Sequence, residues 1–131
     1  MDELQLLEVI QMKTLTDSTG KRHLMSVPIT QHCTKEQVQA LKMEKKIALT
    51  CSALSGNEVY AIIENPIFFE NRKEEISARV FGTLSTKHPK VERILAQGDY
   101  LVSGQSMRYV RKVEFKDGMD QYRQTPREIN D

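Results

Sequence analysis

The sequence contains no tryptophan, few aromatic residues and only two cysteines, and it lacks any long apolar run. No stretch approaches the ~18 consecutive apolar residues that a membrane span needs. The N-terminus opens with Asp2 and Glu3 rather than with a basic patch before an apolar run, which argues against a secretory signal peptide. Without an export signal, Cys33 and Cys51 are expected to be reduced, buried thiols rather than a disulfide. These absences predict a soluble intracellular domain, cytoplasmic or alternatively nuclear, with no membrane partner.

Neither sign of charge dominates, because 19 basic residues face 18 acidic ones and leave a formal net charge of +1. No overall field would therefore attract nucleic acid or an anionic membrane. Two local basic clusters remain: Lys87, His88, Lys90 and Arg93 in one, and Arg108, Arg111 and Lys112 in the other. Interrupted clusters in a nearly neutral chain are weak evidence for RNA binding. A nucleic-acid partner is therefore not expected, and a free-standing RNA-binding module is the alternative.

What the sequence does contain is enough for one folded domain. Its length of 131 residues suits a single globular unit. Leucine, isoleucine, valine and phenylalanine make up about a quarter of the chain, above the ~20% region where chains stay disordered. Apolar spacing and capping signals predict four short helices: over residues 3–12, from Thr34 to Leu41, from a cap at Asn71 to Gly82, and from Pro89 to Gly98. In the third helix, Ile76 and Val80 form the apolar stripe.

Short strands are predicted between these helices. They run from His23 to Thr30, Ile47 to Ser52, Val59 to Asn65, Tyr100 to Val102 and Met107 to Phe115. The second and third of them flank Ser55-Gly56-Asn57, which has hairpin chemistry, and Pro66 is expected to end the third because it cannot donate a ladder hydrogen bond. Helices placed irregularly between strands argue against parallel βαβ units. The fold class predicted from the residues is α+β, with a small open barrel or sheet and short helices.

No pattern in the sequence predicts a catalytic or metal site. CxxC and HxxxH spacings, glycine-rich phosphate loops and a GxSxG elbow are all missing. The dense charged stretch from Glu70 to Glu75 is either a solvated helix face with local ion pairs or part of a surface between domains. Near the end, Thr125-Pro126-Arg127-Glu128 has the pattern of a capped helix start, and the sequence stops at Asp131. We expect this chain to be a segment of a longer one.

Several stretches resemble a known family. They are Asn65-Pro66-Ile67-Phe68-Phe69-Glu70-Asn71-Arg72-Lys73-Glu74-Glu75, Arg79-Val80-Phe81-Gly82-Thr83, Lys87-His88-Pro89, Gly98-Asp99-Tyr100-Leu101-Val102 and Asp117-Gly118-Met119-Asp120-Gln121-Tyr122-Arg123-Gln124-Thr125-Pro126. Together they are similar to the N-terminal domain of ATP sulfurylases, especially the sulfurylase part of bifunctional phosphoadenosine phosphosulfate (PAPS) synthases. Asn71 and Tyr100 depart from that family, where His and Trp are usual.

The resemblance implies a PUA-like fold over residues 1–124, with 125–131 beginning the helix that leads into a catalytic domain. It implies a parent enzyme that joins sulfate to ATP, with Mg²⁺, giving adenosine 5′-phosphosulfate and pyrophosphate; bifunctional members then phosphorylate the product to PAPS. A homodimer is implied for the parent. Family catalysis rests on QxRNP and HxxH motifs, and neither occurs here. The segment alone is therefore predicted to be inactive, with no catalytic, cofactor-binding or metal residue of its own.

The implied role is to position the catalytic domain of the same chain. Four charged residues are the candidates for contacts across that boundary, on the basis of charge and placement: Arg72, Lys73, His88 and Arg123. The polar stretch from Asp120 to Thr125 is either a surface turn or a hinge between the two domains.

Overall fold

A computed structural model of the protein describes residues 1–50 and 58–130. In chain order its elements are α1 (Glu3–Met12), β1 (Thr14–Thr16), β2 (Arg22–Leu24), β3 (Gln31–Cys33), α2 (Lys35–Leu41), β4 (Lys46–Thr50), β5 (Val59–Glu70), α3 (Lys73–Phe81), α4 (Pro89–Leu95), β6 (Tyr100–Tyr109), a 3₁₀ turn (Asp120–Tyr122) and α5 (Pro126–Asn130). The predicted hairpin loop Ser55-Gly56-Asn57 and Cys51 lie outside the described residues.

The strands form an antiparallel four-stranded sheet in the order β3-β6-β5-β4, together with a separate β1-β2 hairpin. All strand pairs of the described residues are antiparallel. The sheet curls into an open half-barrel with helices packed around it, which confirms the α+β prediction. None of the described helices combines the length and the apolar character needed to cross a membrane.

Strand β6 contributes to two hydrophobic clusters, one on each face of the sheet. Leu101 packs with Leu6 and Ile10 of α1 and Ile76 of α3. Its neighbour Val102 points to the opposite face, as consecutive strand residues do, and joins a cluster of Cys33, Ile47 and Ile63. Strand β6 is thus covered on both faces near Tyr100, where α3 and α4 also lie.

Helix α1 confirms the prediction over residues 3–12. Asp2 and Gln5 form a capping box at its start, and Lys13 ends it in the left-handed conformation. The buried face consists of Leu6, Val9 and Ile10, whereas Leu4 is exposed. Helix α2 likewise follows its predicted box between Thr34 and Gln37.

The predicted strand from His23 to Thr30 is wrong beyond Leu24. Only Arg22–Leu24 is a strand, paired with β1, and the ladder ends with the bond from the Met25 N–H to the Lys13 carbonyl, which lies in the same register. The sequence pattern does not indicate β1 and β3. Each has three residues, too few for an alternating pattern to be recognised.

The expected strand end at Pro66 and the expected gap after Val102 are also wrong. Strand β5 continues through Pro66 to Glu70, and β6 runs without a break to Tyr109. Pro66 lies opposite Gly104 in the ladder, and Asn65 adopts a φ of 48° just before the proline. A Cβ on Gly104 would lie 2.7 Å from the Glu64 carbonyl oxygen, so glycine permits the close approach of the two strands here.

Two helix boundaries near the candidate surface differ from the prediction. Helix α3 has Arg72 as its N-cap, without a side-chain cap, so Asn71 does not cap it. Asn71 is instead 5% exposed, and its Nδ2 donates to the Gly98 carbonyl at 2.8 Å. Helix α4 ends at Leu95, three residues before Gly98. Gly98 packs against the Cys33 backbone, where a Cβ would lie only 2.5 Å from the carbonyl carbon.

Cys33 matches the prediction of a buried free thiol. It is buried in the cluster below β3, and its Sγ contacts the Tyr100 carbonyl at 3.7 Å. Burial raises the pKa of this thiol, which lowers its reactivity as a nucleophile.

Candidate interdomain surface

Arg72 links the start of α3 to α1. Its Nη2 donates to Glu3 Oε1 at 3.0 Å, and its Nη1 lies 3.7 Å from Glu75 Oε2. The hydrogen bond to Glu3 and the nearby carboxylates raise the pKa of the guanidinium above its usual value. Arg72 is therefore already paired within the domain.

Lys73 links the same helix start to the turn between α4 and β6. Its Nζ donates to the Gln97 carbonyl at 3.0 Å and to Asp99 Oδ1 at 2.7 Å. The hydrogen bond from Lys73 lowers the pKa of Asp99. With the Asn71–Gly98 bond beside it, this pair attaches α3 to the beginning of the central strand.

His88 is the N-cap of α4. Its Nδ1 accepts from the Lys90 N–H at 3.3 Å, and its ring lies 5.1 Å from the ring of Phe81 between centroids. It therefore joins the end of α3 to the start of α4, a structural role that the basic pattern around it did not indicate.

Arg123 is the centre of a closed loop in the C-terminal segment. Its guanidinium makes a two-pronged contact with Asp117, at 2.7 and 2.6 Å, and a further bond to Asp120 Oδ1 at 2.8 Å. Asp120 also accepts from the backbone N–H groups of Phe115 and Lys116, at 2.9 and 2.7 Å. The guanidinium carbon lies 4.4 Å from the centre of the Phe115 ring, within range of a cation–π contact. We call residues 115–123 the arginine loop.

These contacts shift the titration of the loop. The hydrogen bond from Arg123 holds the pKa of Asp117 well below its usual range, and the backbone N–H groups of Phe115 and Lys116 lower the pKa of Asp120. The two carboxylates in turn raise the pKa of Arg123. All three groups are consequently charged together at neutral pH.

The four candidate residues do not form one cluster. Only Arg72 and Lys73 are adjacent, at the start of α3, while His88 lies near the end of that helix and Arg123 is bonded within its own loop. Each already has an intrachain partner. A contact of any of them with a second domain stays a prediction, and the geometry favours a supporting role in which they hold the surface in shape.

The two basic clusters also differ from each other. Arg111 is paired with Glu58 at 2.7 Å and Lys112 with Glu128 at 3.0 Å, so the second cluster is largely neutralised. In the described part of the chain, Lys87, Lys90 and Arg93 make no ion pair. The second cluster contains one exposed aromatic side chain, Tyr109, whereas a surface for single-stranded nucleic acid stacks successive bases on several aromatic side chains.

Sequence reasoning missed an apolar groove beyond the end of the sheet. It encloses about 640 Å³, and its apolar lining consists of Tyr109, Val110, Val113 and Phe115. We call these four residues the C-terminal groove. Thr125 lines the groove too and begins α5 through a capping box, in which its N–H donates to Glu128 Oε2 and its Oγ1 accepts from the Glu128 N–H. The predicted helix start at Thr125 is thereby confirmed.

No three His, Cys, Asp or Glu side chains within residues 1–50 and 58–130 are grouped so that they could bind a metal ion. The arrangement described above offers supports and an apolar groove. Among the residues that form it, there is no nucleophile activated by a neighbouring base.

Comparison with known proteins places most of the chain in a family. The PUA-like domain family matches residues 1–110. The whole chain is 25% identical over 132 residues to ATP sulfurylase 2 of Arabidopsis thaliana, of which it covers 27%. It is 30% identical over 104 residues to the sulfate adenylyltransferase of Carboxydothermus hydrogenoformans, covering 79% of this chain and 26% of that protein. With the sulfate adenylyltransferase of Deinococcus deserti the identity is 33% over 102 residues, covering 78% and 24%.

The chain thus spans about a quarter of the length of the curated relatives it matches, in their N-terminal region. The match to the PUA-like family agrees with the curled open sheet and its surrounding helices. On this evidence the chain belongs to the PUA-like domain family.

Proposed function

We propose that the chain is a non-catalytic accessory domain of a sulfate-activating enzyme, which converts ATP and sulfate to adenosine 5′-phosphosulfate and pyrophosphate. One observation carries the proposal: the similarity to ATP sulfurylase 2 extends over the entire chain, whereas the match to the PUA-like family ends at residue 110. If this chain shared only the PUA-like fold with that protein, the sequence similarity would be expected to end where the fold ends. Here it includes the groove and the arginine loop.

In this proposal residues 1–124 are the accessory domain, and 125–131 begin the helix that leads into the catalytic domain. ATP and Mg²⁺ bind to that catalytic domain. A kinase region of the same protein then phosphorylates the product to PAPS, and the parent is a cytoplasmic homodimer. The use of ATP and Mg²⁺, the kinase step and the homodimer rest on the sequence resemblance, and the cytoplasmic location is the expectation from the sequence itself.

The proposed contribution to catalysis is positioning. Adenylation of sulfate brings two anions together, so the reaction depends on orientation and on exclusion of water. A neighbouring domain helps only if it is rigid. The salt bridges from Arg72 to Glu3 and from Lys73 to Asp99 make the region where α1, α3 and β6 meet more rigid. The bonds of Arg123 do the same for the arginine loop.

The first test is to read the transcript beyond the codon for Asp131. A frame that continues α5 and soon encodes QxRNP and HxxH supports the proposal. A stop codon at that position contradicts it, and the RNA-binding alternative is then tested through the salt dependence of binding to RNA.

The second test uses the enzyme encoded by that transcript. Alanine at Arg72, Lys73, His88 and Arg123 should lower sulfate-dependent release of pyrophosphate and loosen the association of the two domains. The matched control replaces four exposed lysines that take no part in these contacts: Lys21, Lys35, Lys42 and Lys45. Unchanged activity and association in the first variant would exclude the positioning role.

A further inference from the structure

We propose that the C-terminal groove is the surface on which the catalytic domain of the sulfurylase docks. This inference rests on the proposed function and adds to it the place of contact. The groove begins at Tyr109, the last residue of β6, and lies before α5 in the chain. Its apolar residues lie in the stretch from Met107 to Phe115, which the sequence pattern predicts to be a strand.

Three of the four groove residues are more than half exposed although they are large and apolar. Tyr109 is 65% exposed, Val110 52% and Phe115 51%. They are close in sequence and line one depression, so they form a patch rather than scattered apolar side chains, which are normal on a protein surface. Contiguous exposed apolar patches mark sites of interaction.

The charges around the groove are already neutralised. Arg111 bonds to Glu58, Lys112 bonds to Glu128, and Arg123 bonds to Asp117 and Asp120. The backbone N–H of Thr125 and the ammonium of Lys112 together lower the pKa of Glu128 to about 2, which keeps that carboxylate ionised and paired at neutral pH. A partner that covers the groove would therefore bury paired charges rather than isolated ones, which avoids the largest desolvation cost. An anionic ligand gains little here, and an apolar protein surface gains most.

The groove is also held in its shape before any partner arrives. Phe115 is fixed from two directions, by its N–H bond to Asp120 and by the Arg123 guanidinium over its ring. Val110 is anchored because its N–H donates to the Tyr60 carbonyl at 2.8 Å. Ordering these side chains in advance reduces the entropy lost on docking.

The comparisons indicate which occupant to expect. The groove begins at the end of the family match and continues past it, within the part of the chain that is still similar to ATP sulfurylase 2. About three quarters of that relative lies outside the similarity. We therefore assign the groove to the remaining, catalytic part of such an enzyme rather than to a second copy of this chain.

Protection of an engineered cysteine in the full-length enzyme tests the assignment. Val110→Cys places a thiol in the groove. Val27→Cys is the matched control, because Val27 has the same residue type and is 51% exposed, but lies in a different depression beside Ile76 and Ile94. Each thiol is labelled with a maleimide in the native enzyme and again in denaturant, and the labelled peptide is identified by mass spectrometry. For each variant, the labelling rate in the native enzyme is divided by the rate in denaturant. We expect this ratio to be about tenfold lower for Val110→Cys than for Val27→Cys.

Three results would overturn the assignment. Equal relative rates for the two engineered thiols, in an enzyme that makes adenosine 5′-phosphosulfate, would refute the docking surface and leave the proposed function intact. Protection that disappears on dilution would assign the groove to a second copy. A transcript without a catalytic region, or an encoded enzyme that lacks sulfurylase activity, would refute the proposed function itself.

A second variant reports on coupling between the domains. Val110→Glu should separate the unfolding of the enzyme into two thermal transitions and lower its activity, whereas Val27→Glu should leave a single transition. A single transition and full activity with Val110→Glu would contradict the assignment.

Discussion

Replacing Gly98 by alanine tests the structure most directly, because two physical arguments predict opposite signs for it. Gly98 does not adopt the left-handed backbone conformation that favours glycine. Where the native backbone suits alanine, a Gly→Ala change stabilises a protein by ~0.4–1 kcal/mol through the unfolded chain. The packing argument predicts a loss, because the new Cβ would meet backbone atoms of Cys33 that cannot rotate away.

The size of the loss follows from what must move. The Cβ would lie 2.5 Å from the Cys33 carbonyl carbon, while ordinary contacts start at 3.4 Å, so the two segments must separate by about 1 Å. That shift breaks the bond from Asn71 Nδ2 to the Gly98 carbonyl and strains the β3–β6 pair of Cys33 with Tyr100. A lost hydrogen bond with a buried group left unpaired costs about 1–3 kcal/mol, and overpacking costs ~1–3 kcal/mol. After the entropic gain, we expect Gly98→Ala to lower the free energy of unfolding by about 3 kcal/mol.

Urea denaturation followed by far-UV circular dichroism measures this. With a slope of ~1.5–2 kcal/mol/M, the midpoint should fall by about 1.5–2 M at an unchanged slope. Gly20→Ala is the control: its φ of 84° is left-handed and nothing lies within 4 Å of the new Cβ. It should lose only the ~1–2 kcal/mol of backbone strain. A Gly98→Ala variant as stable as the parent, or more stable, would refute the close approach of β3 to this turn.

Three further changes test other parts of the structure. Ser77 is fully buried, and its Oγ has no hydrogen-bond partner among the described residues. Ser77→Ala should therefore stabilise the domain by about 1 kcal/mol and raise its Tm by roughly 3–6 °C. A lower Tm in calorimetry would contradict this. Arg123→Lys keeps the charge but removes the two-pronged contact with Asp117, so amides of residues 115–123 should exchange hydrogen faster while Tm stays nearly unchanged. The control Arg111→Lys replaces a single contact and should leave that exchange unaltered. Equal exchange in both variants would contradict the arginine loop. Because Asp117 and Asp120 have lowered pKa values, the contacts of the arginine loop should be complete above the ordinary aspartate pKa near 3.8 and be lost as the pH falls further. NMR shifts of the Phe115 and Lys116 amides should therefore titrate below pH 3.8. Titration at or above that pH would contradict these lowered pKa values.

The sequence predicts those parts of the fold that local signals determine. Apolar spacing predicts α1, the capping box at Thr34 predicts the start of α2, and Gly82 ends α3 in the left-handed conformation. The strands are predicted less well, because their length depends on the partner across the ladder. Pro66 cannot donate a ladder bond, yet β5 continues past it since Gly104 opposite allows the backbones to approach closely.

The site is harder to predict because a charged residue looks the same in sequence whether it is paired or free. Charge alone makes Arg72 and Arg123 candidates, and both are occupied by intrachain carboxylates. The carboxylates of Asp117 and Asp120 stand three residues apart, and Arg123 follows three residues after the second, a spacing that could have indicated the loop. The alternation from Met107 to Phe115 predicts a strand, and this conceals the groove.

Internal pairing explains why the groove, and not the charged stretch, suits an interdomain contact. If Arg72 or Arg123 were to bond directly to another domain, each would first have to leave a carboxylate, and that carboxylate would then lose its partner. The exchange of one ion pair for another yields little net free energy near the surface. Covering Tyr109, Val110 and Phe115 breaks no existing bond and removes apolar area from water. We therefore expect Arg123 to act on the proposed interface by holding its shape, and removal of the Arg123 contacts should weaken docking through Phe115 rather than through a lost charge.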